Sequence, residues 1–309
     1  MPSPIVSAFF DPASNTVSYI VTDPQTRAAA VIDPVLDFDV GSGTFSTDSA
    51  ARILSAAAAD GLRIAWVLET HVHADHISAA PFIAAQTGAR IGISDQVKQV
   101  QLQFIPTFGA DDLSPDGRAF DQIFADNEII SIGALPVRVL HTPGHTPACA
   151  TYVIGDSAFV GDTLFMPDFG TARADFPGGS AQTLYRSIRR ILALPPDTRI
   201  FVGHDYKAPG RSTFAWETTV AAQRAENVHV RDGVTEQEFV HTREARDATL
   251  AAPKLLYPSI QMNMRAGHAP PPDEHGKTYL RIPVTPVGDT HCSGRSRTRS
   301  KEGEKGLLF

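Results

Sequence analysis

Glu69-Thr70-His71-Val72-His73-Ala74-Asp75-His76 is the stretch that decides the fold. It reads H-x-H-x-D-H and packs four good metal ligands into a few positions. An apolar run, Ile64-Ala65-Trp66-Val67-Leu68, precedes it, and a helix-like run, Ile77 to Gln86, follows. The first run reads as a buried strand, so the ligands leave a strand's C-terminal end on a loop. Side chains at i and i+2 of an extended segment point the same way. His71 and His73 therefore face one ion together, while Asp75 and His76 are displaced along the loop toward a second. Imidazole suits zinc and iron, and a carboxylate adds the charge that holds a divalent cation.

Upstream, Val17 to Val21 and Ala28 to Ile32 flank Asp23-Pro24-Gln25-Thr26, a pattern that predicts a β-hairpin. Thr47 to Asp60 predicts a helix capped by Ser46 or Thr47 and stopped by Gly61. Downstream, Arg90 to Ile93 predicts a strand, and Ser94-Asp95 a helix running to about Phe104. Phe108 to Asp126 predicts a long loop, long enough to cover a site. Four short apolar runs from Glu128 to Val160, split by Gly133, Pro143-Gly144 and Gly155-Asp156, predict consecutive antiparallel strands. Ser180 begins an amphipathic helix carrying Leu184, Ile188, Ile191 and Leu192 on one face, and Arg199 to Val202 predicts one more strand. Ala215 to Leu250 reads as polar helix, Ala251 to Arg281 as Pro-rich and poorly periodic. Gly288 to Phe309 reads as a disordered tail. Strands and helices mix without strict alternation. The expected class is α+β: two mixed sheets with outer helices, an αβ/βα four-layer sandwich. Residues 1–287 form its catalytic domain, with a C-terminal extension from about residue 210.

Composition narrows the function. The 309 residues are 42% hydrophobic and 20% charged, with a net charge of −7, which offers no basic surface for nucleic acid. Only two cysteines, Cys149 and Cys292, are present. They imply no disulfide framework and fit a reducing cytoplasm. Cys149 reads as a small buried hydrophobe rather than a nucleophile. The N-terminus shows no signal peptide, and no apolar run approaches a membrane span.

Three more ligands stand at the ends of predicted strands: His141 after Val137-Arg138-Val139-Leu140, Asp162 after Phe159-Val160-Gly161, and His204 after Ile200-Phe201-Val202-Gly203. Strand ends on one edge of a sandwich converge, and Gly161 and Gly203 allow close backbone approach. Seven ligands, His71, His73, Asp75, His76, His141, Asp162 and His204, would then share one cleft. Two chemistries fit them. With all engaged, two metals activate a hydroxide against a thiolester or lactone carbonyl. With His71, His141 and Asp162 alone, the site is a two-His, one-carboxylate triad that suits Fe(II) and leaves positions for O₂ and sulfur.

This ligand order resembles the metallo-β-lactamase superfamily over residues 17 to 207. The resemblance implies that sandwich with a metal cleft at the strand ends. It assigns His71, His73 and His141 to a first metal, Asp75, His76 and His204 to a second, and Asp162 to the bridge between them. Thr142-Pro143-Gly144-His145-Thr146 and Gly161-Asp162-Thr163-Leu164-Phe165 point to the branch of glyoxalase II and the persulfide dioxygenases, with His145 supporting the ligands rather than joining them. The segment Gly161 to Gly179, the triplet His204-Asp205-Tyr206 and the run Gln261 to Gly267 are similar to the persulfide dioxygenases. One departure is Thr171-Ala172, where many relatives carry Cys-Gly.

The expectation is therefore a dioxygenase with one Fe(II) per chain, converting glutathione persulfide or a similar low-molecular-weight persulfide and O₂ to sulfite and thiol in sulfide detoxification. Asp75 and His76 would orient ligands or bound water. Arg173 would pair with a substrate carboxylate, or else with Asp175 or Asp168, and Tyr206 would hydrogen-bond the substrate or His204. The alternatives are a glyoxalase-II-like hydrolase of glutathione thiolesters with two zinc or mixed ions, and a non-catalytic metal-binding scaffold whose polar helices from Ala215 to Leu250 serve a partner or a homodimer.

Overall fold

The structure is a computed structural model and describes residues 3–284. The predicted tail and Cys292 lie outside the described residues. Along the chain come β1 (Ile5–Asp11), β2 (Thr16–Thr22), β3 (Ala28–Ile32), β4 (Val35–Asp39), β5 (Thr44–Ser46), α1 (Asp48–Ala59), β6 (Arg63–Leu68), β7 (Ile77–Ser78), α2 (Ala80–Thr87), β8 (Arg90–Ser94), α3 (Val97–Phe108) and β9 (Gln122–Phe124). The second half contributes β10 (Ile129–Ile132), β11 (Leu135–His141), β12 (Ala150–Ile154), β13 (Ser157–Phe159), α4 (Ala181–Ile191), β14 (Arg199–Phe201), β15 (Glu217–Thr219), α5 (Val220–Glu226), α6 (Glu236–Asp247) and α7 (Leu256–Asn263).

Two six-stranded sheets result, ordered β1-β2-β3-β6-β8-β9 and β10-β11-β12-β13-β14-β15, with a small third sheet β5-β4-β7. Alternation along the strands sorts their side chains. On β2, Val17, Tyr19 and Val21 face the second sheet and pack with Val137, Tyr152, Phe159 and Phe201. Ile20, between them, joins the opposite layer, where α1, α2, α3 and α7 cover the first sheet. Helices α4 and α6 cover the outside of the second sheet. The α+β four-layer sandwich is therefore present, and each fully buried aliphatic or aromatic side chain stabilises it by about 1.5–3 kcal/mol. Tyr19 ties the two sheets with its hydroxyl as well, donating to the Val202 carbonyl at 2.6 Å.

The β2–β3 hairpin, the antiparallel run β10 to β13 and the Ser180 cap on α4 fall where the sequence places them. Six segments differ. Ile5–Asp11 forms an edge strand paired along its full length with β2. The run after the metal loop starts as β7, because Ile77 and Ser78 pair with β4. The helix follows from Ala80, with Pro81 in its first turn, where a missing N–H costs nothing. Of the two expected caps on α1, Thr47 makes no side-chain bond, while Ser46 Oγ accepts from the Asp48 N–H at 3.3 Å and the Asp37 carboxylate accepts from the Ser49 N–H. The 108–126 stretch is no free cover, since β9 adds to the first sheet and α3 extends to Phe108. Residues 215–250 split into β15, α5 and α6, and the Pro-rich 251–281 stretch contains the buried helix α7.

Candidate metal centre

Strand β6 ends at Leu68 in the middle of the first sheet, and the chain then loops across the strand ends. The loop is held from both sides. Asp33 accepts from the Thr70 N–H and the Thr70 hydroxyl, each at 2.7 Å. Asn263 of α7 donates to the carbonyls of His73 and His76 at 2.9 and 2.8 Å and accepts from the Ser78 N–H at 2.9 Å. Both approaching glycines are necessary. A Cβ on Gly161 (φ +50°) would lie 2.4 Å from Thr70 Oγ1, and one on Gly203 would lie 2.7 Å from Asp162 Oδ1.

His71, His145 and Asp162 bring ligand atoms within 4.8 Å of one another. Asp162 Oδ2 is 3.9 Å from His71 Nε2 and 3.7 Å from His145 Nε2. The remote nitrogen of each histidine is engaged: His145 Nδ1 donates to the Arg173 carbonyl at 2.8 Å, and His71 Nδ1 to Thr70 Oγ1 at 3.0 Å. Both rings therefore keep the Nε2 lone pair toward Asp162, as a metal ligand requires. His71 is held well below the ordinary histidine value, by burial first and by neighbouring His73 next, so it is neutral and ready to coordinate.

His73, Asp75 and His76 form an adjacent group within the same spacing. His73 Nε2 faces two carboxylates, Asp33 at 3.0 Å and Glu69 at 3.2 Å. Burial pulls His73 down, but Asp33 and then Glu69 outweigh it and lift the ring to about 10. His204 bridges the two groups, with Nδ1 2.6 Å from Asp162 Oδ1 and Nε2 2.7 Å from Asp75 Oδ2. Carboxylates only accept, so both nitrogens donate. Burial opposes that charge, and the Asp162 carboxylate above all reverses it, holding His204 well above its ordinary value.

His141 is the exception among the seven expected ligands. It is still part of β11, in register with Ala150, and its parity turns the ring across the sandwich. There Nε2 lies 2.9 Å from the Phe124 carbonyl and 3.9 Å from Asp95. His145 takes the expected place instead. It stands four residues on, past Gly144 (φ +140°), whose Cα hydrogens face the Leu184 backbone so closely that a Cβ would come within 2.3 Å. The Pro143-Gly144 turn in front of His145 was the available signal. Thr16, Asp33, Glu69 and Asn263 left no comparable mark in the sequence.

A cavity of about 520 Å³ opens beside Asp75, His145 and Asp162. Phe165, Phe169 and Tyr206 form an aromatic wall, with Tyr206 stacked on His204 at 5.5 Å. Of the cations at its edge, Arg173 is committed to Asp175 at 2.5 and 2.7 Å and to the Ala251 carbonyl, and Arg243 to Asp247. Arg173 is thus the structural partner of Asp175; Asp168 pairs with Arg211. Arg246 and Lys254 border the cavity without a carboxylate partner among the described residues.

The metal fits these residues. His71 Nε2, His73 Nδ1 and His76 Nε2 are buried without a hydrogen-bond partner. An unpaired buried nitrogen costs about 1–3 kcal/mol, and convergent imidazole nitrogens beside carboxylates are what zinc and iron coordinate.

Strand-end histidines and a shared carboxylate between two helix-covered sheets define a metal-dependent enzyme. The chain belongs to the Metallo-beta-lactamase superfamily, whose sequence model matches residues 11–204. It is 50% identical to a probable metallo-hydrolase of Burkholderia pseudomallei over 91% of this chain and 99% of that one. It is 45% identical to glyoxylase B2 of Dictyostelium discoideum, covering 90% and 96%, and 29% identical to human mitochondrial persulfide dioxygenase ETHE1, covering 85% and 89%. Among solved structures, ETHE1 from Myxococcus xanthus superposes with a TM-score of 0.68 at 32% identity, over 85% of this chain and all of that one. No helix among the described residues is long and apolar enough to cross a membrane.

Proposed function

We propose that the chain is a persulfide dioxygenase with a single Fe(II), taking glutathione persulfide or a similar small persulfide to the thiol and sulfite. The balance is RSSH + O₂ + H₂O → RSH + SO₃²⁻ + 2H⁺. The observation that carries this reading is the grouping of His71, His145 and Asp162 at the cavity while His204 and Asp75, which a second ion would need, are bonded to each other. Two histidines and one carboxylate leave open positions and suit non-haem Fe(II). An iron held by His71, His145 and Asp162 would supply the redox chemistry between persulfide sulfur and O₂.

The chain's own residues do the rest. The Arg173 carbonyl fixes the tautomer of His145, and His204 fixes the Asp162 carboxylate through Oδ1, leaving Oδ2 toward the two histidines. Phe165, Phe169 and Tyr206 give the substrate an apolar wall that excludes bulk water. Arg246 and Lys254 supply cations for substrate carboxylates at the cavity edge, the role the sequence suggested for Arg173. Asp75, which lines the cavity and accepts from His204 Nε2, keeps its negative charge there: burial opposes it, but His204 and then His76 hold the carboxyl well below the usual carboxylate range. Residues 1–287 act as one catalytic unit, because the segment beyond residue 210 contributes Arg246, Lys254 and the Asn263 clamp.

One observation favours a second reading, a two-metal hydrolase of glutathione thiolesters: His73, Asp75 and His76 also converge, and His73 Nδ1 and His76 Nε2 are unpartnered. Elemental analysis of anaerobically prepared protein, run beside oxygen-electrode assays on glutathione persulfide, decides between them. One iron per chain with O₂ uptake is expected. Two ions, lactoylglutathione hydrolysis and no O₂ uptake would install the hydrolase instead.

A further inference from the structure

Thr16, at the start of β2, is fully buried, and its one hydroxyl stands among Asp75, His76 and His204, three side chains on the second-ion side of the cleft. Its Oγ1 lies 3.0 Å from His204 Nε2, 3.3 Å from His76 Nδ1 and 3.5 Å from Asp75 Oδ2. It touches none of His71, His145 and Asp162. Backbone contacts hold it in place: Thr16 and His204 form an isolated β-bridge, and the Val17 N–H donates to the Gly203 carbonyl at 2.8 Å. The single Ser14 hydroxyl hydrogen goes to the Asp11 carboxylate at 2.6 Å, so Ser14 Oγ accepts from the Thr16 hydroxyl at 2.7 Å and Thr16 Oγ1 meets His204 and His76 as an acceptor.

The spacing of the neighbours is the telling quantity. Two ligand atoms at about 2.1 Å from one ion stand about 3.0 Å apart in an octahedron and about 3.4 Å apart in a tetrahedron. Asp75 Oδ2 and His204 Nε2 are 2.7 Å apart, too close to share an ion. To admit one they must separate, and the hydroxyl lies against both, accepting from His204 Nε2 at 3.0 Å and standing 3.5 Å from Asp75 Oδ2. The first group has no such obstacle, since Asp162 Oδ2 stands 3.9 and 3.7 Å from its two nitrogens.

We propose that Thr16 is the residue that sets ion number in this cleft, holding Asp75, His76 and His204 closed against a second metal so that the chain loads one. This rests on the single-iron reading above. No substrate is required to test it. Metal-free wild type, Thr16→Ala and Thr16→Ser are titrated anaerobically with Fe(II), and separately with Co(II), and ions per chain are counted after gel filtration. Electron paramagnetic resonance of the cobalt samples reports whether two ions are coupled. Wild type and Thr16→Ser should hold one uncoupled ion. Thr16→Ala should bind a second about ten-fold more tightly than wild type does, the factor that the one closing hydrogen bond from His204 is worth, with a coupled cobalt signal. If Thr16→Ala does not fold, Thr16→Val, which keeps the volume and loses the hydroxyl, should shift second-ion affinity in the same direction. A single ion in the folded variants would overturn the role of Thr16 while leaving the single-iron reading intact. Two coupled ions in wild type would overturn both.

Discussion

His145 Nδ1 donates to the Arg173 carbonyl at 2.8 Å, and that one bond joins the loop after β11 to the segment that follows Asp162. It turns Nε2 of His145 toward Asp162 and explains why Arg173 is held so firmly by Asp175. The guanidinium serves to fix a backbone carbonyl, and the carbonyl orients a ligand.

His145→Ala should therefore lose metal outright. Removing a ligand should weaken iron binding by more than the 10–100-fold typical of losing an outer partner. His141→Ala should keep iron content near that of wild type and lose about 1 kcal/mol of stability with its bond to Phe124. Iron per chain and urea midpoints measured on both variants check this. Equal iron loss in the two would restore His141 as a ligand.

Asn263→Ala removes three buried hydrogen bonds at a stroke. The carbonyls of His73 and His76 and the N–H of Ser78 are left unpaired, each worth on the order of 1 kcal/mol or more. A loss of about 3 kcal/mol in urea unfolding is expected, together with weaker metal binding, because the clamped backbone carries the ligands. A variant of wild-type stability and metal affinity would show that α7 merely packs beside the loop.

How much of this was legible in the sequence depends on how local each cause is. Val17, Tyr19 and Val21 alternate within one strand, and Ser180 caps its own helix, so periodicity and capping chemistry reveal both. His71, Asp162 and His204 each follow a visible strand. His141 also follows one, but strand parity within the sandwich, not proximity to a strand end, aims its ring. That parity is set by the register of β11 with β12, which no single segment encodes. Asn263 is farther still from local reading: its partners His73 and His76 lie 190 and 187 residues away. Arg173 was ambiguous for a different reason. Asp175 and Asp168 are both in reach along the chain, and only the bond from Arg211 to Asp168 leaves Asp175 as its partner.

Arg246 and Lys254 differ from Arg173 in having no carboxylate to hold. A charge-assisted bond to a substrate carboxylate is worth about 1.5–3 kcal/mol, and each 1.4 kcal/mol is about ten-fold in affinity. Arg246→Ala and Lys254→Ala should each raise KM for glutathione persulfide about ten-fold with kcat within about two-fold, the pattern of lost uniform binding. Arg173→Ala should instead lower stability and iron content. If KM is unmoved in the first two, the substrate's carboxylates are held elsewhere.

The metal-free protein should be most stable near neutral pH, for reasons that have opposite signs at two histidines. His73 sits at about 10 in the folded chain, against about 6.5 unfolded. Its proton is bound more tightly folded than unfolded, so its contribution is complete below about pH 6.5 and is lost as pH rises through 10. His71 is held below its ordinary value, so the unfolded chain takes up its proton first, and stability falls as pH drops below about 6.5. Urea midpoints of metal-free wild type should decline from pH 7 to 9.5 and also from pH 6.5 to 5. Glu69→Gln removes one of the two carboxylates facing His73 Nε2 and should flatten the alkaline decline while leaving the acid one. Were the alkaline limb as steep in Glu69→Gln as in wild type, the carboxylates beside His73 would not be holding its proton, and the charge on that ring would have to be explained without them.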